Sequence, residues 1–297
     1  MQTCPNIVRG ALILLSAGAV QAMPAGAQMP DTDIHLADLR IAGDMIEIGT
    51  PRNITNRPGY DNQPWFLRDG SALLYNVDMG GQTDVFRYDL TTGSSTRLTD
   101  TPVNEFSPTL TADGREMLVV RWEADMSDGH LWRYAPDGAP LGVHPGDVPR
   151  VGYYGVVNEH VIVAFVNDSA RSFVLADART GELMQLGARL GGSPPQRIPG
   201  ASAVSFVQQD DEGVMWIMRA DTAGGAMTRI ARAVEGSVSY AWTNDGVLLM
   251  PGGNAIFALD PENGGGWREV ARFEGIGDIA RIAINAANDK VALVVGH

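Results

Sequence analysis

The sequence predicts an all-β protein, a six-bladed β-propeller with four-stranded blades, on three observations. The stretch "FLRDGSALLYNV", residues 66–77, returns 44 positions later as "LTADGREMLVVR", residues 110–121. An Asp-Gly pair between two apolar runs is a hairpin signal, and a repeat period of about 40 to 45 residues with four strands per unit is that of a propeller. The third observation is a mismatch at the ends. The last repeat, "RIAINAANDKVALVVGH", supplies two strands, and "DIHLADLRIAGDMIEIGTPRNIT" near the start supplies a third strand, a linker and a fourth.

The first full blade spans residues 61–103. After its Asp69-Gly70 hairpin come a Gly-rich turn, a strand over 84–90, a Thr-Thr-Gly turn and a short strand over 94–98. The second blade, 104–149, repeats this order, with 130–134 as third strand and Pro136-Asp137-Gly138 as third turn. Blades over 150–194 and 195–236 are weaker copies, and 237–276 is a clear one around Asp245-Gly246. Asp177, Asp221 and Asp260 close their third strands at steps of 44 and 39. The sixth blade joins 277–297 to 33–57, so that strands from both ends share one sheet and close the ring. A lone four-stranded sheet leaves faces and edges bare, whereas blades around an axis cover each other's faces. No apolar 3.6-residue period exceeds two turns after the N-terminal segment. Residues 28–297 are therefore expected to form a single domain.

The segment from Asn53 to Gly114 resembles the TolB-like (WD40-like, PD40-type) propeller repeat. The residues that carry the likeness are Pro64, Asp69-Gly70, the strand 85–90 with Gly93, and Arg97-Leu98-Thr99; Ser107-Pro108 with Asp113-Gly114, and residues 240–246, fit again. The stretches "VVNEH" and "QQDDEG" follow by phase alone. The resemblance implies a propeller that works as a binding scaffold in the bacterial envelope.

Residues 1–27 read as a signal peptide: Arg9, an apolar run too short to span a bilayer, then small-x-small cleavage sites ending at Ala22 and Ala27. A periplasmic or secreted bacterial location follows, with no membrane span after cleavage. Cys4 is the single cysteine, which leaves the mature chain without disulfides, zinc thiolates or a cysteine nucleophile. The formal charge of −13 includes no basic cluster, which argues against nucleic acid or anionic membranes as partners. A monomer is expected.

The five histidines have no paired metal-ligand spacing, the Asp-Gly pairs suit tight turns better than calcium loops, and no Gly-x-Ser-x-Gly elbow is present. No metal, no cofactor and no catalytic residue is therefore assigned. The connections entering each blade surround one mouth of the central channel. They carry Asp61, Asn62, Gln63, Glu105, Ser107, Tyr153, Tyr154, Arg197, Tyr240 and Arg281. Aromatic surfaces, two arginines, amides and carboxylates are what a polar pocket needs. The expected partner is an envelope protein or peptide, with a small anionic or polar ligand as a second possibility. A second class of function is a saccharide- or peptide-directed lyase or hydrolase at the same mouth, with Asp61 or Glu105 as acid or base.

Overall fold

The computed structural model describes residues 29–123, 127–224 and 227–297, and every described element is a strand. The expected signal peptide, residues 1–27, lies outside the described residues.

The strands form six antiparallel sheets arranged as blades. Blade 1 runs outward through Asp61–Phe66, Ala72–Asp78, Thr83–Asp89 and Ser95–Arg97. Blades 2 to 5 repeat this order, with innermost strands Asn104–Leu110, Val151–Val156, Gln196–Arg197 and Ala241–Trp242. Blade 6 has Ile279–Ile284 innermost, then Lys290–Gly296, then Thr32–Ala42 and Met45–Ile48 from the other end of the sequence. Thr32 pairs with Gly296 and Asp38 with Lys290. The ring is thus closed by N-terminal strands.

Six apolar clusters hold the ring, and each straddles two consecutive blades. Met117 and Val119 face Leu74 and Val85 of blade 1, whereas Leu118 and Val120, one residue on, face Ile162 and Ala164 of blade 3. Successive side chains of a strand point to opposite faces, so a strand covered on both sides needs an unbroken apolar run. That is why "MLVV", "ALLY" and "VALVV" do not alternate with polar residues. Ile34, Ala292 and Val294 of blade 6 meet Leu73 and Tyr75 of blade 1, so the closing interface is as apolar as the others. Each fully buried side chain of this size contributes roughly 1.5–3 kcal/mol.

The Asp-Gly pairs are turns. Gly70, Gly114 and Gly246 have φ of 70°, 72° and 81°, a region glycine enters without a Cβ penalty. The Asp69 carboxylate accepts from the Ser71 N–H at 2.9 Å and the Ser71 hydroxyl at 2.8 Å, so it caps its own turn.

Candidate functional site: the central channel

The innermost strands of blades 1 and 2 are interrupted at matching points. Gln63 and Ser107 have φ of 55° and 53°, each precedes a proline, and the strand register shifts around both. Pro64 and Pro108 lack the N–H that a regular ladder would use, so the strands bulge there. The bulge presents Ser107 N–H to Gln63 Oε1 at 2.7 Å and to Asn76 Oδ1 at 2.9 Å. Asn76 is fully buried and donates back to the Glu105 carbonyl at 2.6 Å. This network locks the first two blades together beside the axis.

A cavity of about 390 Å³ occupies the channel. Among the ten residues proposed from sequence, Gln63, Ser107, Tyr154, Arg197, Tyr240 and Arg281 line it. Its wall continues along the innermost strands toward their first hairpins, through Trp65, Pro108, Val156, Pro195 and Trp242. Trp65 is 42% exposed at the rim.

The other four sequence-proposed residues are not part of that wall. The side chain of Asp61 is fully buried and receives Arg57 at 3.1 Å from Nε and 2.9 Å from Nη2. Burial pushes its carboxyl up to about 6, against the pull of Arg57. Asn62 is buried beside it, 3.4 Å from the Thr32 hydroxyl. Glu105 is also fully buried; Thr101 donates to its Oε1 at 3.0 Å, Tyr134 donates to the same oxygen, and burial raises its pKa. Both carboxylates are held at blade entries, Asp61 by Arg57 from the preceding segment and Glu105 by Thr101 from the preceding connection with Tyr134 of its own blade.

Tyr153 is buried on Phe165, with ring centroids 6.3 Å apart. Its hydroxyl accepts from Arg281 Nη2 at 2.5 Å, and the guanidinium lies 5.2 Å from its ring centroid. Tyr153 belongs to blade 3 and Arg281 to blade 6, opposite each other in a ring of six. The pair therefore bridges the channel. Tyr154 and Tyr240 point between blades: Tyr154 Oη donates to the Leu118 carbonyl at 2.8 Å, and Tyr240 Oη lies 2.8 Å from Ser205 Oγ. Their hydroxyls are satisfied internally, and burial raises both pKa values.

Sequence reasoning did not single out Trp65, Arg68, Trp242 or the prolines of "GGSPPQRIPG". Trp65 and Trp242 lie on the second half of their inner strands and Arg68 and Pro199 on the first hairpins, beyond the first residues of the blade entries, whereas Pro194 and Pro195 lie in the entry to blade 4 itself. The signal was present: an aromatic residue one or two places before the hairpin in "QPWFLRDG" and "YAWTNDG".

No family model and no curated protein matches the chain. Solved structures do. A structure described as a candidate TolB from Agrobacterium tumefaciens superposes with a TM-score of 0.70 at 16% identity, over 90% of this chain and 99% of that one. TolB from Acinetobacter baumannii gives 0.55 at 11% identity, over 89% of this chain and 65% of its own length. A gluconolactonase from Xanthomonas campestris gives 0.58 at 13% identity, over 93% and 100%. At such identities the likeness is one of fold: a six-bladed propeller of the TolB-like kind, on which different activities are built.

Proposed function

We propose that this chain is an exported propeller that binds a protein or peptide in its channel cavity, acting as a scaffold in the bacterial periplasm. The single observation that supports this reading most is the wall of the cavity. It combines proline and tryptophan surfaces with a few polar groups, and the two buried carboxylates nearest the channel, Asp61 and Glu105, are bonded elsewhere. An apolar concave wall with sparse polar groups favours binding of side chains. The N-terminal segment supports export, and residues 28–297 are taken as the mature, single-domain unit. Among the described residues no helix is long and apolar enough to cross a membrane.

The test is site-specific photo-crosslinking in a periplasmic extract, with the reactive group placed at Trp65 or Trp242 and, as control, at Met184 on the outer strand of blade 3. The reading expects a discrete adduct from both rim positions and none from Met184. No adduct from the rim, or the same adducts from all three positions, overturns it.

A further inference from the structure

A second, more open cavity of about 530 Å³ lies beside the channel, with Asn158, His160, Arg179, Ser202 and Thr222 on its walls. Arg68, Ala112, Val157 and Arg197 line both cavities and so form the ridge between them. The two arginines on this ridge differ from most others in the molecule. Arg57 is bonded to Asp61, Arg97 to Asp84 and Asp100, Arg189 to Asp211 and Arg272 to Glu269. Among the described residues the guanidinium groups of Arg68 and Arg197 make no hydrogen bond, ion pair or ring contact. A chain with a formal charge of −13 thus leaves two cations unneutralised on one concave wall.

We propose that Arg68 and Arg197 capture a carboxylate of the bound peptide, while the neighbouring apolar side chain of that peptide enters the channel between Trp65 and Trp242. This inference rests on the peptide-binding reading above. Arg presents a planar fork of donors that matches a carboxylate with two parallel hydrogen bonds. Ala112 and Val157 share the ridge with the arginines and give it an apolar component. The local charge fixes the class of anion. Arg179 on the far wall is already bonded to Asp177 at 2.7 Å, and Glu159 also lines the open cavity, so its walls carry only a small positive surplus. The surplus suits one carboxylate, and the protein's overall negative charge opposes polyanions.

The carboxylate can come from the peptide's C-terminus or from an Asp or Glu side chain, and the experiment separates them. Three hexapeptide pools are passed over the immobilised full-length protein, and the retained fraction is quantified by mass spectrometry. The first pool lacks Asp and Glu and ends in a free acid. The second lacks them and ends in an amide. The third contains Asp and Glu and ends in an amide. The proposal expects the first or the third pool to be retained at least about tenfold over the second. It also expects the Arg68→Gln/Arg197→Gln double variant, with both changes at exposed positions, to lose that preference while keeping its melting temperature. Equal retention of all pools overturns the carboxylate assignment and leaves peptide binding standing. A preference that survives in the double variant also overturns the assignment. Retention of no pool overturns both readings.

Discussion

Arg281 of blade 6 donates to the hydroxyl of Tyr153 of blade 3 across the central channel, at 2.5 Å and 128 residues apart in sequence. The contact links opposite blades, whereas each apolar cluster links neighbours. It acts as a strut across the ring. Tyr153→Phe removes the acceptor and leaves the half-buried guanidinium without its partner; a hydrogen bond to a charged group is worth about 1.5–3 kcal/mol. Tyr153→Phe, Arg281→Met and the double variant, unfolded in urea, should show a coupling energy above about 1 kcal/mol. Strictly additive effects would mean that the strut carries nothing.

Asp61 gives a pH signature. Its carboxyl is raised from an ordinary 3.8 to about 6 by burial, so the folded state holds its proton where the unfolded chain has released it. The contribution to stability is complete below pH 3.8 and is lost as pH rises toward 6 and above. Asp61→Asn should flatten the pH dependence of unfolding between about pH 4 and 6 and leave the protein at least as stable as the parent at pH 8. A variant less stable at pH 8, with the slope intact, would contradict this account of the Arg57–Asp61 pair.

Two histidines should have pKa values shifted in opposite directions. His130 Nδ1 lies 2.6 Å from Asp147 and its Nε2 3.2 Å from Asp128, and the Asp147 contact raises its pKa. His144 is buried, its Nδ1 accepts from Gly146 N–H at 3.0 Å, and burial lowers its pKa. Stability from His130 is therefore full below about pH 6.5 and falls away as pH passes its raised value. In an NMR titration His144 should lose its proton first as pH increases. Asp147→Asn should bring the two midpoints closer, and the reverse order would refute the assignment.

Gly155 sets the gap between blades 3 and 4 at the channel wall. A Cβ there would sit 2.3 Å from the Pro195 carbonyl oxygen, a backbone atom that cannot rotate away. Gly155→Ala should destabilise the protein by about 1–3 kcal/mol through overpacking and reduce adduct formation at Trp242, measured by thermal melts and by crosslinking. Unchanged stability would show that blades 3 and 4 can separate freely.

Much of the architecture could be read from the sequence because each blade repeats the same local chemistry. Asp69-Gly70, Asp113-Gly114 and Asp245-Gly246 marked equivalent hairpins, and apolar runs such as "MLVV" marked second strands covered on both faces. The weak repeats were weak because other residues make the same turns. Asn158 accepts from the N–H groups of His160 and Val161 in blade 3, and Pro199-Gly200, with φ of 72° at the glycine, replaces Asp-Gly in blade 4. The candidate site was less legible. Phase alignment brings Asp61, Glu105 and Arg281 to similar heights in their blades, yet it does not say which side chains find partners inside the protein. Asp61 finds Arg57, four residues before it; Arg281 finds Tyr153, half the ring away. That Arg68 and Arg197 are left without a partner on one wall is visible only once the partners of the neighbouring cations, such as Asp177 for Arg179 and Tyr153 for Arg281, are known.

The closure of blade 6 has a consequence for how the chain is made. Lys290 bonds to Asp38 and His297 to Asp33, contacts that span 252 and 264 residues. The strand that begins at Thr32 leaves the ribosome early, and its partner Lys290–Gly296 follows only after five blades' worth of chain. During that interval Met45–Ile48 and Arg52–Asn53 can pair with it, but the edge that will meet Lys290–Gly296 stays open, the kind of surface that chaperones hold and that other chains pair with. Long-range closure of this kind is slow. Completion of the ring, and with it the Arg281–Tyr153 strut and the channel wall, thus waits on Lys290–Gly296 and is expected to come in a single late step.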